Sequence, residues 1–197
     1  MSLRPIAFTA GLALTAAVVL TGCSGKSATS IIEKAIPGHS DGSGAMDADF
    51  IGSGFKAIDN KVGASQYGVI MVMISPQRVA MRVVDPKKPA NVDEYDYRRD
   101  SGSVGDPTPV DISGSEPGAL EENTFQRADL QPAVIAQAVT DAPKASGIDE
   151  ATAQSVTITY PLVANQGDQP YIQVDVKGPR GTGFPRYSLQ GNPLPKK

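Results

Sequence analysis

Apolar residues in this chain recur with two periods, and the order in which the periods appear repeats once. Ile51, Phe55, Ile58 and Val62 fall at i, i+4, i+7 and i+11, one face of an α-helix. Asp47 or Asp49 is placed to cap its start and Gly63 to close its end. Three strand-like runs follow: Tyr67–Ser75, Arg78–Val84 and Asp93–Arg99. The first is apolar on both faces, as a central strand is, and Pro76-Gln77 joins it tightly to the second. In the third, Tyr95 and Tyr97 alternate with Glu94, Asp96 and Arg98.

The same sequence of periods returns from Asp129. Pro132 suits a first helical turn, Ile135, Ala138, Val139 and Ala142 form an apolar face, and Pro143 is expected to end the helix. Strands are expected at Gln154–Tyr160, Tyr171–Lys177 and Phe184–Leu189. Alternation is clean here: Val156, Ile158, Tyr160, Ile172, Val174 and Val176 point one way, Thr157, Thr159, Gln173 and Asp175 the other. Helix starts lie 80 residues apart and third strands about 90 apart. The expected fold is therefore α+β, two α-β-β-β units at 48–100 and 129–190, with helices on one face of an antiparallel sheet. A Gly-, Pro- and Asp-rich connector (101–128) joins them, and 191–197 is a tail. The order resembles PepSY-like and beta-lactamase-inhibitory-protein-like architectures over about residues 48–190. That resemblance implies a non-enzymatic module that binds other proteins.

One further apolar run, Ile6–Leu20, has neither period. At about 15 residues it is shorter than the ~20 needed to span a bilayer and matches a secretory signal preceded by Arg4. It ends in Leu20-Thr21-Gly22-Cys23, and Cys23 is the chain's single cysteine. The tetrapeptide resembles the bacterial lipobox, and the Gly, Ala and Asp usage resembles actinobacterial lipoproteins. The resemblance implies removal of residues 1–22, acylation of Cys23 and residence at the extracytoplasmic face of a cell membrane. Each buried CH₂ of an acyl chain contributes roughly 0.8 kcal/mol, so two or three chains anchor stably. Residues 23–47, with Pro37-Gly38 and Asp41-Gly42-Ser43-Gly44, read as the lipidated N-terminus and a flexible tether.

Charge narrows the partners. The chain carries 18 Lys+Arg against 21 Asp+Glu. Loss of Arg4 with the signal makes it more acidic, which excludes a basic nucleic-acid footprint and leaves membrane attachment to the acyl chains.

The candidate chemistry is sparse. His39, the single histidine, lies in the tether and Cys23 is the acylation site, so neither a Cys-His nor a Ser-His nucleophilic set can be assembled, nor a structural zinc site. No cofactor is implied. Carboxylate pairs for glycoside hydrolysis can be drawn from Asp93, Glu94 and Asp96 or from Asp111, Glu116, Glu121 and Glu122. A solvated polar surface is the simpler account of both. Met71, Met73 and Met81, amid Val and Ile, read as core. Gly178–Gly183 lies between strands and reads as a hairpin turn with Arg180 at its tip. What remains is a surface: Thr157, Thr159, Tyr171, Gln173, Asp175, Arg186 and Ser188 on the solvent side of the second unit's sheet. Tyr and Arg are the residues most enriched in binding hot spots. Tyr171, Gln173, Asp175, Arg180 and Arg186 are therefore the binding candidates, for an envelope protein or cell-wall partner. The alternative is a carrier of a lipid or small apolar ligand in a pocket between helices and sheet.

Overall fold

In the computed structural model, which describes residues 43–161 and 169–195, helix α1 (Ala48–Val62) starts where Asp47 accepts a 2.8 Å hydrogen bond from the Phe50 N–H. That bond satisfies one of the first-turn donors that have no helical partner. The helix ends where Gly63 takes φ 72°, a left-handed conformation with no Cβ to oppose it. Phe50, Ile51, Phe55, Ile58 and Val62 form its buried face. Strands β1 (Gly68–Ser75), β2 (Arg78–Val84) and β3 (Val92–Arg98) follow as an antiparallel meander. Helix α3 (Pro132–Ser146) then precedes β7 (Thr152–Thr159) and β8 (Tyr171–Gly178). The last strand is divided into β9 (Gly181–Gly183) and β10 (Arg186–Ser188), both paired with β8.

All strands join one antiparallel sheet in the order β10-β8-β7-β1-β2-β3. Its middle seam is β1 against β7, with Val72 opposite Ile158 and Ile74 opposite Val156. Helix α1 packs over β2 and β3, α3 over β7 and β8, and the helices touch each other. The core is the single layer between helices and sheet. The fold class is α+β, as the periodicity implied.

Four expectations are corrected. Pro143 does not end the second helix; α3 runs on to Ser146 and closes at Gly147, φ 73°. So near the C-terminal end, a proline removes one helical hydrogen bond and leaves the earlier turns intact. The connector is not a bare loop. It supplies β4 (Ser103–Val104) and β5 (Thr108–Pro109) to the edge of β3, a short helix α2 (Ala119–Glu122), and β6 (Phe125–Gln126) to the start of β1. Two-residue strands leave no readable period. Residues 43–46, expected as part of a flexible tether, instead form a 3₁₀ turn, with Met46 fully buried in the core. Arg99 pins that turn, donating to the carbonyls of Ala45 and, at 2.7 Å, Pro76, with its guanidinium over the Phe50 ring. Lastly, the methionines divide. Met81 pairs with Val72 on the covered face and is buried, whereas Met71 and Met73 alternate onto the other face and are half-buried. Residues 1–22, expected to be a signal segment, and Cys23 and His39 lie outside the described residues.

One polar cluster crosses the structure. Arg127 donates two 3.0 Å hydrogen bonds to the Asp59 carboxylate and lies over the Phe55 ring. Tyr67 donates at 2.5 Å to the same carboxylate. Burial, then the Asp59 charge, raises the Tyr67 hydroxyl well above its ordinary pKa. The cluster ties the end of the connector to α1.

Candidate functional site

Helices α1 and α3 leave the second face of the sheet uncovered, and strand alternation, shifted at the bulges Val69/Met71 and Ala153/Ser155, decides what stands on it. Register places the side chains in rows across the strands. One row runs Ser188, Tyr171, Thr159, Met71, Arg82, Glu94; the next runs Arg186, Gln173, Thr157, Met73, Ala80, Asp96. The tight Pro76-Gln77 turn sets the first unit's half of this register, since Ser75 pairs with Arg78.

In the β7-β8-β10 half the side chains form a continuous hydrogen-bonded chain. Arg186 Nε donates to Gln173 Oε1 at 3.1 Å, and Gln173 Nε2 donates to Asp175 Oδ1 at 3.1 Å. Ser155 Oγ donates to Asp175 Oδ2 at 2.9 Å. The Arg186 guanidinium lies 4.7 Å from the centroid of the Tyr171 ring, a cation–π arrangement. Four of the five expected binding residues are thus one contiguous group. Arg180 is not part of it: it is exposed at the two-residue turn between β8 and β9.

In the β2-β3 half the polar residues are ionic. Glu94 lies 2.9 Å from Arg82 and 3.5 Å from Arg78; Asp96 lies 3.4 Å from Arg78 and 3.1 Å from Arg98. Asp96 Oδ1 is buried and accepts no hydrogen bond, because the Arg78 contact is an ion pair without hydrogen-bond geometry. Between the halves lie Met71, Met73 and Ala80. Sequence reasoning passed over Arg78 and Arg82 and read the two methionines as core. The signal that finds the arginines is alternation of Arg78, Ala80 and Arg82 read through the two-residue turn, which carries them to the same face as Glu94 and Asp96. The other carboxylates considered, Asp111, Glu116, Glu121 and Glu122, are exposed along the connector. Hydrogen bonds from Ser113, first its hydroxyl and then its N–H at 2.9 Å, lower the Asp111 pKa.

A groove of about 690 Å³, which Arg186 also lines, lies between the end of α3, β9, β10 and the C-terminal segment. Ala145, Ile148, Phe184, Pro185 and Leu194 give it apolar walls, and Phe184 and Leu194 are the exposed large apolar side chains of the described residues. Tyr187 also lines it; its buried hydroxyl has no hydrogen-bond partner, and burial followed by the Asp141 charge raises its pKa.

Among the described residues no group of three or more His, Cys, Asp or Glu could hold a metal ion. No described helix is long and apolar enough to cross a membrane. No protein-family model matches the chain, and neither a curated protein nor a solved structure does.

Proposed function

We propose that this chain is a membrane-anchored envelope lipoprotein whose folded part is a non-enzymatic binding module, docking a protein or cell-wall partner on the uncovered sheet face. The observation that carries the reading is the contiguous group Tyr171, Gln173, Asp175 and Arg186, with the Arg186 guanidinium held against the Tyr171 ring. Arginine and tyrosine held in fixed rotamers lose little conformational freedom on binding, which is how hot-spot residues gain their weight. Glu94 and Asp96 support a non-enzymatic reading because each is tied up in ion pairs with the neighbouring arginines. Co-purification from detergent-solubilised envelope tests it. A partner is recovered reproducibly with the wild type and lost with Arg186→Ala/Tyr171→Ala. Equal recovery by both proteins, or no reproducible partner, would refute the docking face.

Anchoring through Cys23 rests on the Leu20-Thr21-Gly22-Cys23 signature. Intact-mass measurement of the native protein checks it: the expected species starts at Cys23 and carries acyl chains. An unmodified thiol, or a start elsewhere, contradicts it.

The fold reads as an α-β-β-β unit used twice. Each 15-residue helix ends on a left-handed glycine and packs on the strands that follow it. The strand order mirrors itself about the β1/β7 seam.

A second reading, carriage of a small apolar ligand, is favoured by the groove beside α3, whose volume of about 690 Å³ falls in the ~300–1,000 Å³ range of ligand sites. A fluorescent fatty acid should bind the wild type and lose affinity at least tenfold in Phe184→Glu. Unchanged binding excludes the groove.

A further inference from the structure

The uncovered face differs in charge from the protein that carries it. Among described residues there are 13 Lys+Arg against 18 Asp+Glu, yet strand alternation puts Arg78, Arg82, Arg98, Lys177 and Arg186 on this face against only Glu94, Asp96 and Asp175. The molecule is acidic and this face is cationic. Resting on the docking-face reading, we infer that the face takes an acidic polypeptide, one that sets carboxylates on the arginines to either side and an apolar side chain on Met71 and Met73 between them.

The residue types make this more specific than a positive patch. Four of the five cations are arginines, whose planar five-donor fork pairs with a carboxylate in a bidentate way that an ammonium cannot. Arg78, Arg82 and Arg98 are oriented by Glu94 and Asp96 at 2.9–3.5 Å, and Arg186 by Gln173 and the Tyr171 ring. An arginine fork has more donors than one carboxylate uses, and where Glu94 and Asp96 already orient Arg78, Arg82 and Arg98 part of the rotamer entropy is spent before the partner arrives. The half-buried strip of Met71 and Met73 gives a pliable apolar floor. Arg, Tyr and Met are the types enriched in protein interfaces. A lipid headgroup surface fits less well. Membrane-binding faces rely on unpaired cations and protruding apolar side chains, whereas these arginines are paired and Phe184 and Leu194 line the groove beside α3.

The test is selection from a random dodecapeptide display library against the full-length, detergent-solubilised protein, followed by titration of the enriched peptides. The expected winners carry more Asp+Glu than Lys+Arg and at least one large aliphatic or aromatic residue. Their affinity falls at least tenfold in Arg82→Gln/Arg186→Gln and in Met73→Glu, and falls steeply with added salt. Unchanged melting curves keep these variants readable as folded. Winners that are neutral or basic, yet lost in Met73→Glu, overturn the acidic-partner inference and leave the docking face standing. Winners indifferent to all three substitutions, or no winners, overturn both. The protein is also set on vesicles by its own anchor. If Arg82 and Arg186 become shielded from phenylglyoxal only when phosphatidylglycerol is present, and no acidic peptide is enriched, the face serves lipid headgroups and the inference fails.

Discussion

The two faces of this sheet use the same strands for opposite purposes. The covered face is Val, Ile, Met81 and Tyr187 packed to near-zero exposure beneath α1 and α3. The other face keeps Met71 and Met73 half-buried among ion pairs and hydrogen bonds. Since side chains alternate along each strand outside the bulges at Val69/Met71 and Ala153/Ser155, each residue answers to one face only. Stability and recognition can therefore be altered separately, and substitutions should sort by face.

The largest effect is expected at Phe55, fully buried on α1. Phe55→Ala should cost roughly 3–5 kcal/mol, the usual cost of emptying an aromatic site in a core, read as a shift in the urea midpoint. Arg127→Met comes next, at about 2–3 kcal/mol, because it removes the ion pair and two hydrogen bonds of the Asp59 carboxylate and leaves it only the Tyr67 hydroxyl. Gly54 lets α1 approach the sheet: a Cβ there would stand 2.8 Å from Val79 Cγ2. Gly54→Val should thus cost about 1–3 kcal/mol through overpacking, whereas Gly63→Ala, at a left-handed position with open space around it, should cost about 1 kcal/mol.

A pH effect also belongs to the covered side. The Tyr67 hydroxyl is raised by burial and by Asp59, so the unfolded chain loses this proton first, near its ordinary value of about 10. Stability from this group is complete below about pH 10 and declines as pH rises beyond it, by at most about 1.4 kcal/mol per pH unit. Urea titrations at pH 9 and 11 should show the decline, and Tyr67→Phe should lessen it.

The smallest stability effects should fall on the uncovered face. Arg82→Ala should change stability by less than about 1 kcal/mol, since its partly exposed ion pair with Glu94 contributes little. A larger loss there would mean that the face is structural and would break the contrast.

How far the sequence could be read follows from the same alternation. Val156, Ile158, Ile172, Val174 and Val176 announced both their strands and their face, because polar residues stood between them. Tyr67–Ser75 announced a strand but no face: a run apolar on both sides carries no period-2 signal, so Met71 and Met73 were read as core with Met81. The β7-β8-β10 half of the candidate site was legible for the first reason. The β2-β3 half was not, since Glu94 and Asp96 acquire meaning only beside Arg78 and Arg82 on the neighbouring strand. The two-residue strands of the connector, and the long-range pairing of Asp59 with Arg127, lie beyond what a local period can encode.

The claim that recognition belongs to the uncovered face is tested most directly by photo-crosslinking in living cells. A photoreactive residue is placed at Thr157, in the middle of that face, or at Lys56, exposed on α1. The account predicts a discrete crosslinked partner from position 157, lost in Arg186→Ala/Tyr171→Ala, and none from position 56. A partner captured from position 56 and not from 157 would contradict it.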